Sequence, residues 1–224
     1  MTQIQEKITE LHASLPEGVE LVAVSKFHPA EAIKEAYDAG QRIFGESRVQ
    51  EFLQKIDVLP SDIRWHFIGH LQTNKVKMLM GKTAMIESVD SDRLLRLIDM
   101  ESQKAGVTTR VLMQVHVAKE ETKFGFYPEE LLDFFRNREF ETLKATHICG
   151  IMGMASNTDN KERVRADFRE IRNTFVEILK IAPDLRGFET VSMGMSGDWP
   201  LAVEEGSTLV RVGTAIFGAR DYSK

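Results

Sequence analysis

Apolar positions along the chain alternate between two rhythms. Short runs at 21–25, 42–44, 65–68, 85–89, 110–117, 148–152, 190–193 and 209–212 read as strands. The first, LVAV, is apolar throughout, as expected in a parallel sheet covered on both faces. Between these runs, helical patterns occupy 30–39, 49–58, 73–80, 93–105, 129–138, 161–181 and 200–205. Several open on a cap or a first-turn acid, as in SVDSDRLL and GFYPEELL. The helix at 30–39 has Pro29 near its start and Gly40 at its stop. Ahead of the first strand, Ile4, Ile8, Leu11 and Leu15 fall at helical spacing and predict an amphipathic helix packed on the domain. Strict strand–helix alternation implies parallel strands with right-handed crossovers. About eight such units predict an α/β fold, a single (β/α)8 TIM barrel spanning 1–224, with a doubly wound open sheet as the alternative. No Pro/Ser-rich linker or low-complexity tract divides the chain.

The 224 residues are 42% hydrophobic, enough for a sizeable core. The net charge of -5 excludes a general attraction to nucleic acid or an acidic membrane surface. The single cysteine, Cys149, lies in an apolar run, cannot form an internal disulfide and fits a reducing compartment. The N-terminus mixes acids, bases and polar residues without the apolar stretch of a signal peptide. No apolar run is long enough to span a bilayer, so a cytoplasmic location is expected.

The chemistry gathers where strands hand over to loops: SKFHP, GESR, GHLQTNK, MGMASNT, SMGMSGD and VGTA. Loops are polar in any protein, but here the small and polar residues favour one end of the strands, the C-terminal rim where α/β folds bind ligands. The last two exits suit an anion. Gly194, Gly197 and Gly213 let backbone N–H groups come close, and Ser192, Ser196 and Thr214 add hydroxyls. In barrels the loops after strands seven and eight are the usual phosphate cradle; two Gly/Ser turns with capping serines are the plainer account. Arg211, set among valines in LVRVG, is costly to bury unpartnered. It is either half of a structural ion pair or a donor to a ligand in the barrel mouth. Lys26 ends the first strand, which in a closed barrel lies beside the eighth. It reads as a counter-charge for phosphate, as a solvated rim lysine, or as a nucleophilic amine whose ammonium form is disfavoured by burial and nearby cations. His66 and His70 have i, i+4 spacing but straddle a strand end at Gly69, so a zinc site is not expected.

Taken together and in order, VAVSK at 22–26, IFGESRVQEF at 43–52, WHFIGHLQTNK at 65–75, TKFGF at 122–126, SMGMSGD at 192–198 and VRVGTAIFGAR at 210–220 resemble the YggS/PROSC family of pyridoxal 5′-phosphate (PLP) homeostasis proteins. The resemblance implies a barrel like the N-terminal domain of alanine racemase, a fold-type III arrangement without the second β domain. It implies that Lys26 carries PLP as an internal aldimine. Ser196, Gly213 and Thr214 match phosphate-holding positions, with Ser192 and Gly194 in the same loop, and Arg211 matches the residue facing the pyridine nitrogen. Ser47 stands where the family commonly has asparagine, and Thr73 where serine is frequent. The implied function is binding, buffering and delivery of PLP without turnover. Arg211 cannot keep the ring nitrogen protonated, which weakens the electron sink that PLP catalysis needs. Tyr37, Tyr127 and Tyr222 offer no obvious second base. The alternatives are an amino-acid racemase or lyase using the same lysine and, more distantly, an aldolase. PLP-dependent apo-enzymes are the expected partners. The lack of a strong apolar surface stripe points to a monomer.

Overall fold

The computed structural model describes residues 1–118 and 124–219. Thr122 and Lys123 of TKFGF, Arg220, and Tyr222 lie outside them. Helix α1 (Gln3–Ser14) comes first, held by a capping box in which Thr2 and Gln5 satisfy each other's backbone. Ile8 is its buried anchor, with Ile4, Leu11 and Leu15 packed beside it, as the helical spacing predicts.

Eight strands follow: β1 (Glu20–Val24), β2 (Ile43–Glu46), β3 (Arg64–Phe67), β4 (Met85–Val89), β5 (Thr109–Val115), β6 (Thr146–Gly153), β7 (Thr190–Met195) and β8 (Leu209–Val212). Each pairs in parallel with the next, and β8 returns to β1 with Leu21 opposite Val210 and Ala23 opposite Val212. The result is the closed barrel that the alternating pattern predicts. The connecting helices are α2 (Ala30–Asp38), α3 (Val49–Ile56), α4 (Asp92–Ala105), α5 (Pro128–Arg136), α6 (Lys161–Ile181), α7 (Trp199–Glu204) and α8 (Thr214–Phe217). Ser91 and Asn160 cap α4 and α6 through their side chains, and Pro128 opens α5. The helix predicted at 73–80 is instead a 3₁₀ turn over Thr73–Met78. Gln72 makes no side-chain cap there, and i→i+3 bonds close the segment, from the Lys75 amide to the Gln72 carbonyl at 2.9 Å and from the Leu79 amide to the Val76 carbonyl at 3.0 Å.

Alternation along each strand separates two cores. Leu21, Ala23, Phe44, Val210 and Val212 pack under the helices, whereas Val22, Val24, Ile43 and Leu209 meet one another on the barrel's inner side. Met85, Leu112, Cys149 and Met152 form a second inner cluster. No helix among the described residues is long and apolar enough to cross a membrane.

Candidate cofactor site

Lys26 sits two residues past the end of β1 and is part-buried. The turn around it is tightly specified. Phe27 has φ of 66°, in the left-handed region that a phenylalanine enters only when its surroundings demand it. The Ser25 amide donates to the Gly45 carbonyl at 3.0 Å, and the Ser25 carbonyl accepts from the His28 amide at 3.1 Å. The Ser25 hydroxyl donates to Glu46 Oε1 at 2.6 Å, and the Phe27 amide donates to Glu51 Oε1, also at 2.6 Å. Lys55 Nζ donates to the Ser25 carbonyl at 2.9 Å and lies 2.7 Å from each of those two carboxylates. The Arg48 guanidinium covers the Phe27 ring at 4.4 Å from its centroid. A cavity of about 580 Å³ lies between this turn and α3, bordered by Phe27, His28, Glu51 and Lys55.

Arg211 is buried in the barrel and has the carboxylate partner that its apolar strand requires. Its guanidinium donates to the Ser192 hydroxyl and, at 2.9 Å, to the Gly153 carbonyl. Ser192 in turn donates to Glu87 Oε2 at 2.6 Å, and Glu87 Oε1 is hydrogen-bonded to His66 Nδ1 at 2.6 Å. Arg211 and Glu87 approach within 3.7 Å. Burial pushes the Glu87 carboxyl up, but the hydrogen bond and charge of His66, the charge of Arg211 and the Ser192 hydroxyl outweigh it and hold Glu87 below the usual range. Burial lowers Arg211, with the charges of Glu87 and Asp198 opposing. Ser192, expected beside the phosphate, is fully buried with its hydroxyl committed to this chain of groups. The strand rhythm turns position 192 to the barrel's inner side, where Glu87 and Arg211 capture it.

The remaining expected anion-binding residues converge at the ends of β7 and β8. The Ser196 hydroxyl accepts from the Gly213 amide at 3.1 Å and from the Ala215 amide at 3.5 Å, joining the two exits. Between β7 and β8 the register slips by one residue, Ser192 pairing with Leu209 but Met195 with Arg211. Gly194 lies in that irregularity with φ of 94°, and a Cβ there would sit 2.6 Å from Ala202 Cβ. A Cβ on Gly213 would come within 3.2 Å of Val24. That close approach brings the β8 exit against the strand that leads to Lys26, and Thr214 is exposed beside it. Backbone amides and hydroxyls at the seventh and eighth strand ends, with a buried arginine below and a lysine alongside, are a donor set that fits a phosphorylated aldehyde. Lys26, Gly194, Ser196, Arg211, Gly213 and Thr214 thus gather at one rim.

His66 and His70 do not share a site. His66 is buried on Glu87, whereas His70 pairs with Asp90 at 2.8 Å and stacks on Phe124. No group of three or more potential metal ligands occurs among the described residues. Tyr37 donates to Asp62 on the surface. Tyr127, the exposed N-cap residue of α5, meets the His116 ring edge-on at 5.5 Å between centroids. Glu46, Glu51, Lys55 and Glu87 were not foreseen from sequence. Glu46 and Glu87 carry the same signal as Arg211, a charge within an apolar strand. Lys55 and Glu51 carry none, because on a helix they look like an ordinary i, i+4 surface pair.

The description "Alanine racemase, N-terminal domain" belongs to a family model that matches residues 1–221. The chain is 42% identical over 208 residues to the pyridoxal phosphate homeostasis protein of Aquifex aeolicus, covering 90% of this chain and 87% of that one. It is 37% identical over 234 residues to the mouse protein of the same name, covering 99% and 85%. Among solved structures it superposes on PipY of Synechococcus elongatus with PLP bound, at a TM-score of 0.88 and 39% identity, over 96% of this chain and all of that one. Alanine racemase from E. faecalis shares the fold at a TM-score of 0.74 and 19% identity, with this chain covering 58% of it. Full-length similarity at these levels, together with the barrel and its rim, places the chain in the alanine racemase N-terminal domain family, among the pyridoxal phosphate homeostasis proteins.

Proposed function

We propose that this chain binds pyridoxal 5′-phosphate in the barrel mouth and serves PLP homeostasis by holding the cofactor and handing it on. The observation that carries the reading is the convergence of Lys26, Arg211 and the Ser196–Gly213–Thr214 cluster where β1 and β8 meet. When bound, PLP supplies an aldehyde that condenses with a primary amine and releases water. Lys26 is the amine for that attachment. Ser196, whose hydroxyl oxygen accepts from the amides of Gly213 and Ala215 and so keeps its O–H free, donates to the phosphate, with Gly194 and Gly213 giving the backbone its close approach and Thr214 adding a hydroxyl. Ser192 acts at one remove, fixing Arg211 from the barrel interior. Arg211 faces the ring nitrogen as a donor that cannot give up its proton, which supports storage over turnover. The residues act as one binding domain, as a monomer in the cytoplasm, with PLP-dependent apo-enzymes as recipients.

Mixing purified protein with PLP, reducing with borohydride and mapping the modified peptide tests this. The expected result is a visible absorption band and label on Lys26, both lost in Lys26→Ala. Label on another lysine, or an unchanged band in Lys26→Ala, overturns it. No exchange of amino-acid α-protons in heavy water is expected; rapid exchange would favour a racemase or lyase.

A further inference from the structure

The strained turn that presents Lys26 is held from behind by three charged residues. Its two flanking residues, Ser25 and Phe27, are each tied to Glu46, Glu51 or Lys55. Glu46 alternates with Gly45, whose Cβ position would meet Val22 and Ile68 of the inner cluster, so Glu46 turns away from the barrel interior. The triad therefore lies on the far side of the turn from the mouth. It is deeply placed: the side chains of Glu46, Lys55 and Glu51 are 0%, 8% and 18% exposed. One cation serves two carboxylates, and Glu46 Oε2 is buried with no hydrogen-bond partner. Burying ionic groups this way is poor value as a stabiliser, since apolar side chains of like volume usually do as well. What apolar side chains cannot do is accept from the Phe27 amide and donate to the Ser25 carbonyl.

We infer that Glu46, Glu51 and Lys55 are positioning residues for Lys26, holding residues 25–27 in the geometry that aims its amine at the cofactor. The inference rests on Lys26 as the attachment residue proposed above. Glu51 fixes the left-handed Phe27, Lys55 fixes the Ser25 carbonyl, and Glu46 orients Lys55 while accepting from the Ser25 hydroxyl. Loosening any of the three leaves the amine present but poorly aimed, and misplacing a reacting group by about 1 Å costs on the order of a hundredfold in rate.

The test uses the full chain with Glu51→Met and Lys55→Met, the first of which removes the acceptor of the Phe27 amide. Glu51→Met nearly keeps side-chain volume at a part-exposed position while deleting the acceptor, so it remains informative should Lys55→Met fail to fold. Two readouts are taken on protein with unchanged circular dichroism. The first is the rate of PLP capture at Lys26, trapped with borohydride and mapped. The second, on apo-protein, is the acetylation of Lys26 by limiting acetic anhydride relative to the exposed Lys77. Capture about tenfold slower or more, with an altered Lys26-to-Lys77 ratio, is the expected result. Wild-type capture, or a wild-type Lys26-to-Lys77 ratio, in a folded Glu51→Met variant overturns the inference. Should PLP label another lysine in the wild-type chain, the attachment reading fails alone, and the acetylation ratio still decides whether the triad positions Lys26.

Discussion

Arg211 and Glu87 show how far one residue's chemistry is settled by a partner distant in the chain. The guanidinium is tolerable inside the barrel because Ser192 and Glu87 stand against it, and Glu87 is tolerable because His66 and Arg211 face it. Glu87→Leu would leave Arg211 buried without its counter-charge. A loss of about 3–5 kcal/mol is expected, read as a lower urea midpoint. The double variant Glu87→Leu/Arg211→Leu should recover most of that stability while abolishing PLP binding, and no recovery would mean that the two residues are not coupled. At Gly194 the expectation is different in kind. Gly194→Ala meets both the positive φ and Ala202, so it should cost about 1–3 kcal/mol and weaken phosphate binding. At this scale Arg211 was legible as an anomaly among valines. Its partner was not, because nothing local to LVRVG names Glu87.

Helix α3 does two jobs with one stretch of sequence. Val49 and Phe52 face the core, where Phe52 meets Trp65 edge-on at 5.8 Å between centroids. Glu51 and Lys55 turn to the Lys26 turn. The two faces can be separated by experiment. Phe52→Ala should lose about 3–5 kcal/mol of stability in urea unfolding yet keep the Lys26-to-Lys77 acetylation ratio of the folded protein. The positioning variants should do the reverse. As an element, α3 was readable from its periodicity, and so were the other long helices and the eight strands. The 3₁₀ turn at Thr73–Met78 and the four-residue α8 were not, since short elements are set by the connections they must close.

For the whole molecule, buried carboxylates shape the response to pH. Burial is the largest influence on Glu46, pushing it to about 7 against an ordinary 4.5; the charge and hydrogen bond of Lys55 and the hydroxyl of Ser25 oppose it, and Glu51 adds to it. Between those values the folded chain binds more protons at this group than the unfolded chain. Its contribution is therefore present in full below about 4.5 and falls as pH rises through about 7, by up to roughly 3 kcal/mol. Glu87 works in the opposite sense, favouring the fold above the ordinary carboxylate range and withdrawing that support in acid. Glu46→Gln should flatten the fall in stability between about pH 5 and 7, measured as urea midpoints across that range; an unchanged slope would exclude Glu46 as its source. The amino-acid sequence alone pointed to eight strand–helix units and to strand exits bearing Lys26, Ser196, Arg211, Gly213 and Thr214, because hydrophobic period and turn chemistry are local properties that repeat along the chain; that the sheet closes, with β8 beside β1, was decided in the tertiary structure. Only the tertiary structure decided that Ser192 belongs to Glu87 and Arg211, and that Glu46, Glu51 and Lys55 grip the turn around Lys26. Those pairings depend on strand register, barrel closure and the side of each strand that faces inward, and buried charges find their partners through space.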